Sequence, residues 1–263
     1  MKRTLYIYIG IVSMALGSLG LRAETTTFDD NTIVYTKAMA DSAYAEADYA
    51  TAAYIYEQLL AEHGESAAVY YNLGGAYYKM ADIARSILNY ERALLLEPSN
   101  ADIKFNLELA RSKAVDKNAL MSELFFVRWY RSFAAIMSAD SWSKVAILCF
   151  IILISCFTLF IFCKKHKTKK IIFIFALLSL LFTVLANVIA SGQTAKLVHR
   201  ESAIIMEPSV TVRSTPSVNG TELFILHEGK KVKIKDDSMK AWKEIELEDG
   251  NIGWLPAEAI ERI

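Results

Sequence analysis

Side chains able to do chemistry are sparse in this chain, and those that recur at a fixed spacing are amides and aromatics. Asn72 and Asn106 stand 34 residues apart, preceded by Tyr71 and Phe105 and each followed by leucine. A carboxamide carries both a donor and an acceptor, which suits binding rather than bond breaking. Tyr71, Tyr78 and Phe105 fall on or near the same surface, where they either contact a ligand or complete the packing. Trp242 and Trp254 form either a ligand platform or part of a small β core. His63, His166, His199 and His227 have no second ligand or base at a useful local spacing. No nucleophile elbow, phosphate loop, zinc-protease helix or dinucleotide glycine pattern occurs. The chain is therefore expected not to be an enzyme and to need neither metal nor cofactor. Cys149, Cys156 and Cys163 recur every seventh residue on one helical face of an apolar run. Such a stripe is either a packing seam in lipid or a metal or redox stripe, and packing is the expectation.

The elements that must carry these residues follow from hydropathy and charge. Across 263 residues, 54% hydrophobic residues and a mean hydropathy of +0.26 exceed what a water-soluble core of this size requires. Part of the chain is therefore expected in lipid. Lys plus Arg and Asp plus Glu balance at 29 each, which gives no reason to expect nucleic acid as a partner. Lys2 and Arg3 precede an uncharged run, 5–21, closed by Arg22 and Ala23, so 1–23 reads as a signal peptide for export. Two further uncharged runs, 145–163 and 171–190, are each long enough to cross the hydrocarbon layer as a transmembrane helix. Between them the segment 164–170 holds five lysines and no acid, the mark of a cytoplasmic loop. Both flanking regions are then expected on the far side of the membrane.

The segment 24–117 is acidic, with fifteen Asp and Glu against eight Lys and Arg, and is expected to be helical. Within it Tyr49, Ala52, Tyr56 and Leu59 recur 34 residues on as Ile83, Ser86, Tyr90 and Ala93, and Asp48 and Glu57 as Asp82 and Glu91. This period marks an array of paired helices. Tyr70, Leu73, Gly74, Tyr77, Ser86, Tyr90, Ala93 and Pro98 together resemble the tetratricopeptide consensus. Gly74 would let its helix approach the next one closely at Ser86, and Pro98 would stop the second helix. The preceding copy is degenerate in its first helix, and the third, from about Ala101, has no second helix of consensus type. The resemblance implies a concave groove in which Asn72 and Asn106 hold the backbone of an extended peptide.

In 118–141 an aromatic face of Phe125, Phe126, Trp129, Tyr130 and Phe133 opposes Arg128 and Arg131. That pattern predicts an amphipathic pre-membrane helix, lying in the membrane interface or packed against the repeats. Beyond the second span a helical stalk to about Ser202 is expected, then five short strands, 210–213, 221–226, 231–234, 242–247 and 252–255, with a tight turn at Asp249-Gly250. Five short strands imply a small all-β barrel, and 203–263 resembles bacterial SH3-like domains. The predicted architecture is thus a multidomain membrane protein: α-helical tetratricopeptide repeats, two transmembrane helices and an SH3-like barrel. In that order, with Leu124-Phe125-Phe126-Val127-Arg128-Trp129-Tyr130 before the first span, the modules resemble the Bacteroides aerotolerance (Bat) family. The resemblance implies an inner-membrane scaffold with its repeats and SH3-like domain on the periplasmic side. Its partners would be inner membrane lipid and other Bat-family membrane proteins, several carrying von Willebrand factor A domains, encoded beside a MoxR-type ATPase. The other function weighed is an envelope sensor whose SH3-like domain binds peptidoglycan.

Overall fold

Five helices open the described chain, and four of them begin on a side chain that accepts a backbone N–H. In the computed structural model, which describes residues 34–116 and 125–263, Thr36 caps α1 (Lys37–Ala45) and Asp48 caps α2 (Tyr49–His63). Asp82 caps α4 (Ile83–Leu96) and Asn100 caps α5 (Ala101–Arg111), while α3 (Ala67–Lys79) follows Ser66 without such a bond. Each cap satisfies a donor that the first helical turn leaves open. α2 and α4 start 34 residues apart, as do α3 and α5. Ala47 and Ala81, just ahead of the two capping aspartates, share a left-handed φ of 63°. Consecutive helices pack on one another. Gly74 on α3 makes the closest approach: a Cβ there would stand 2.9 Å from the Tyr90 ring, and its carbonyl accepts the buried Ser86 hydroxyl at 2.9 Å.

The expected export signal, 1–23, and the segment 118–124 lie outside the described residues. α6 (Phe125–Ala134) carries the aromatic face but ends earlier than the sequence predicts, because Ser138 caps a new helix, α7 (Ala139–Phe162). The corner between them is fastened by side chains that reach back to the end of α6. Trp142 Nε1 donates to the Ala134 carbonyl at 3.0 Å, and Gln193 Nε2 donates to the carbonyls of Ala134 and Met137. Phe133 packs against Trp142 with ring centroids 5.5 Å apart, so the end of α6 rests on the helical pair formed by α7 and α8 (His166–His199). Both α7 and α8 are long and apolar enough to cross a membrane. They meet at Ala146, Ala186, Ile189 and Ala190, and Ser179 Oγ donates to the Cys149 carbonyl at 2.6 Å. The three cysteines are free and half-buried. The lysine segment is shorter as a loop than 164–170 predicts, since His166–Lys170 already forms the start of α8. The apolar run beyond it propagates the helix backwards, and Lys169 lays its ammonium over the Phe160 ring at 5.1 Å.

After α8 the backbone turns at Arg200, in the left-handed region, and enters a sheet of seven antiparallel strands. These are β1 (Ser202–Ile205), β2 (Ser209–Arg213), β3 (Glu222–His227), β4 (Lys231–Asp236), β5 (Trp242–Glu246), β6 (Ile252–Pro256) and β7 (Ile260–Arg262), in the order β3-β2-β6-β5-β4-β1-β7. Five match the expected runs; β1 and β7 are additional. The sheet corrects the barrel expectation: it is not closed, because β3 and β7 are its edges. At β7 that edge is covered by α4, whose Arg92 Nη2 donates to the Arg262 carbonyl at 2.6 Å, which is one way a chain shields an open edge. Val212, Val232, Ile234, Ile245 and Leu255 lie in one core cluster, so the sheet curls around its own interior. Gly250, at φ 85°, supplies the Asp249-Gly250 turn between β5 and β6.

Replacing Gly74 with alanine forces α3 away from the Tyr90 ring, and the expected loss is about 1–3 kcal/mol of stability. Denaturant unfolding of the detergent-solubilised chain measures it. A gain of about 0.5–1 kcal/mol, as alanine gives in place of an unhindered helical glycine, would show that α3 and α4 are not in this close contact.

Candidate functional site

The two amides singled out by spacing are both tied into the helical unit. Asn72 Nδ2 donates to Asp41 Oδ1 at 3.2 Å, and the same carboxylate accepts from the Tyr56 hydroxyl and from Lys37, each at 2.6 Å. Burial pushes the Asp41 carboxyl up, but the bonds from Lys37, Tyr56 and Asn72 outweigh it and hold it below the ordinary carboxylate range. Asn106 Nδ2 donates to the Tyr71 hydroxyl at 2.7 Å and to the Asp102 carbonyl at 3.1 Å. Each amide therefore spends a donor on a neighbouring helix or its own and keeps its carbonyl oxygen as an acceptor. Tyr71 packs on Tyr90, with centroids 5.8 Å apart, and Tyr71 and Tyr78 join a cluster that includes Ile204 and Met206 from the sheet region. Phe105 is different: it is 69% exposed beside Asn106. Of the five candidates, Phe105 presents the most free apolar surface.

A junction that local spacing does not reveal joins the helices to the sheet. Ile87 and Leu88 on α4 and Leu107 and Ala110 on α5 share one buried cluster with Ile204 and Ile263. Gly229, between β3 and β4, fits against this surface, since a Cβ there would lie 2.9 Å from Ile87 Cδ1. At its centre Glu91, 5% exposed, takes Arg111 on one carboxylate oxygen and Lys231 Nζ, at 2.7 Å, on the other. Burial pushes this carboxyl up, yet Lys231 and Arg111 together hold it below the ordinary glutamate range. Around the rim, Arg92 pairs with Glu261 at 2.9 Å, Arg200 pairs with Glu65, and Asp116 accepts from the His227 backbone at 2.7 Å with the imidazole Nδ1 3.0 Å away. The sheet thus covers one face of α4 and α5. The 34-residue match of Glu57 to Glu91 was the one local signal, because Tyr77, whose hydroxyl donates to Glu57, stands one period before Arg111.

On the sheet, Trp242 pairs with Pro256 and Glu244 with Trp254, which places both indoles on one face of β5 and β6. Ile245 and Leu255, on the other face, belong to the core cluster, whereas both tryptophans are half-buried outside it. Arg213 stands opposite Trp254 across the β2–β6 pairing. The tryptophans are thereby available as a platform. Among the described residues, no three His, Cys, Asp or Glu side chains gather as a metal ion would require. No protein-family model matches the chain, and no curated protein matches it.

The depressed Glu91 carboxyl sets the acid response of the junction. Its contribution is fully present above the ordinary glutamate pKa of about 4.3 and is lost as pH falls through the lower folded value. Hydrogen-exchange protection factors at Ile204 and Ile205 in β1 are expected to fall over that acid window, and Glu91→Gln is expected to remove most of their pH dependence while weakening the junction at neutral pH. An unchanged acid profile in the variant would contradict this assignment.

Proposed function

We propose that the chain is a non-catalytic, membrane-anchored scaffold that binds protein partners in a Bat-type aerotolerance or envelope-stress complex. The observation carrying this reading is the junction: it makes the helical unit and the sheet one composite body standing on the α7–α8 anchor. We read the helices as tetratricopeptide repeats and the sheet as an SH3-like domain. The 34-residue spacing of helix starts, the Gly74–Ser86 approach and the Asp249-Gly250 turn support this, and the order of modules resembles BatE within the Bat family. Because the helical unit and the sheet touch, they share one side of the membrane. With the lysines of 164–170 inside the cell, that side is periplasmic and the anchor lies in the inner membrane. α6 then lies along the outer interface with Phe125, Phe126 and Trp129, all exposed, toward lipid. Partners of this reading are other Bat-family membrane proteins, including those with von Willebrand factor A domains.

Phe105 and the open carbonyls of Asn72 and Asn106 form the proposed contact surface. Phe105→Ser is expected to lower recovery of a co-expressed von Willebrand factor A domain partner by about tenfold or more, as loss of an aromatic anchor does. Its thermal midpoint should stay within the small range of an exposed substitution. Full recovery with the variant would remove this surface from the scaffold reading.

The tryptophan face favours a second reading, in which the sheet binds cell-wall glycan or peptide. The full chain in detergent is expected to sediment with purified peptidoglycan if this holds, and the paired change Trp242→Ala with Trp254→Ala to abolish sedimentation. Equal sedimentation of the two proteins would argue for partner binding alone.

A further inference from the structure

The turn between α7 and α8 carries Lys164, Lys165, Lys167, Lys169 and Lys170 within seven residues. None of the five forms an ion pair among the described residues. The sequence supplies the reason, since from Ser141 to Arg200 there is no Asp or Glu. Asp140 at the start of α7 and Glu201 beyond α8 are the nearest acids along the chain on either side, each a helix length away, about 30 Å or more at the usual rise. That is several times the screening length of about 8 Å in physiological salt. Among the described residues, then, nothing balances the turn, and a counter-charge supplied from outside is favoured.

What surrounds the lysines narrows its source. Lys170 abuts the apolar run that begins at Ile171, and Lys164 is two residues beyond Phe162. Phe162, Ile171 and Phe173 are exposed, as are Lys164, Lys165, Lys167 and Lys170, so apolar and cationic side chains share one end of the helical pair. Lys169 shows the combination at one position: its ammonium lies over the Phe160 ring, which packs on Phe173 with centroids 6.4 Å apart. Between Phe162, the last residue of α7, and His166, the first of α8, there are only Cys163, Lys164 and Lys165, so the turn stays at the helix ends. A nucleic acid or an acidic protein would meet the charge but leave the apolar rim in water. A phospholipid of net negative charge meets both, its phosphate beside the ammonium groups and its acyl chains along Phe162, Ile171 and Phe173. A zwitterionic headgroup brings its own ammonium and gains less.

We infer that the lysine turn binds the phosphate of anionic phospholipid in preference to zwitterionic lipid. The inference rests on the membrane-anchor reading above. Acetylation of the full chain, mapped lysine by lysine, tests it in bicelles of phosphatidylcholine and in bicelles that also contain phosphatidylglycerol. Phosphatidylglycerol is expected to slow acetylation of Lys164, Lys165, Lys167 and Lys170 by about tenfold and to leave exposed Lys79 of the helical unit unchanged. Lys144 and Lys196, exposed near the far ends of α7 and α8, report what a charged surface does without the cluster, and are expected to slow by about twofold or less. Equal slowing at these two and at the turn would overturn the inference, leaving a general surface effect. The same protection from inorganic phosphate in plain phosphatidylcholine would overturn it in favour of a soluble anion, and protection by polyglutamate but not by phosphatidylglycerol in favour of an acidic protein. A chain that stays out of the bicelles overturns the anchor reading along with this one, whereas an embedded chain without protection overturns this one alone.

Discussion

A carboxylate taken out of water must find compensating charge or give up its ionisation, and Glu91 finds two cations, one near in the chain and one far. Arg111 comes from the next helix, and Lys231 from a strand 140 residues away. The desolvation of all three groups is costly, so the triad is a poor source of net stability compared with an apolar cluster. Its value is in geometry. Only one placement of β4 on α4 brings Lys231 to the second oxygen of Glu91, and the apolar contacts of Ile87, Ile204 and Ile263 add affinity to a fit that the charges select.

This constraint changes what kind of object the chain is. Two modules joined only through a membrane anchor would search for partners separately, each with its own orientation. Here α4 covers the β7 edge and the sheet covers α4 and α5, so each unit completes the other's exposed face. The open order of the sheet follows from the same fact: an edge that already has a helix against it has no need to close on the far strand. The helical unit and the tryptophan face therefore keep fixed relative positions.

Much of the local structure was legible because its causes are local. The recurrence of Asp48 as Asp82, the glycine facing Tyr90 and the Asp-Gly turn are local signals, and the uncharged runs announce α7 and α8 by length alone, while the capping role of the two aspartates shows only in the fold. β1 and β7 were not legible, since Ser-Ala-Ile-Ile and Ile-Glu-Arg are too short to carry an alternation, and each is a strand because of the neighbour it pairs with. The break between α6 and α7 escaped for a related reason. It depends on Gln193, more than fifty residues further on, reaching the carbonyls of Ala134 and Met137. At the candidate sites, spacing located Asn72 and Asn106 but could not say that Asp41 and Tyr71 would take their donors. Trp242 and Trp254 were ambiguous until strand register put Ile245 and Leu255, not the indoles, into the interior.

α8 runs unbroken for 34 residues, about 51 Å at the usual rise, from the lysine turn to within three residues of β1. Its far end is clamped, because Arg200 pairs with Glu65 of the helical unit as the backbone swings into the sheet. Such a rod transmits angle. A tilt of about 5° about the lysine end displaces the other end by roughly 4 Å over that length, and the clamp carries helices and sheet along together. A pull on the basic turn would thus register as a swing of helices and sheet together, the way a pointer magnifies a small rotation of its spindle.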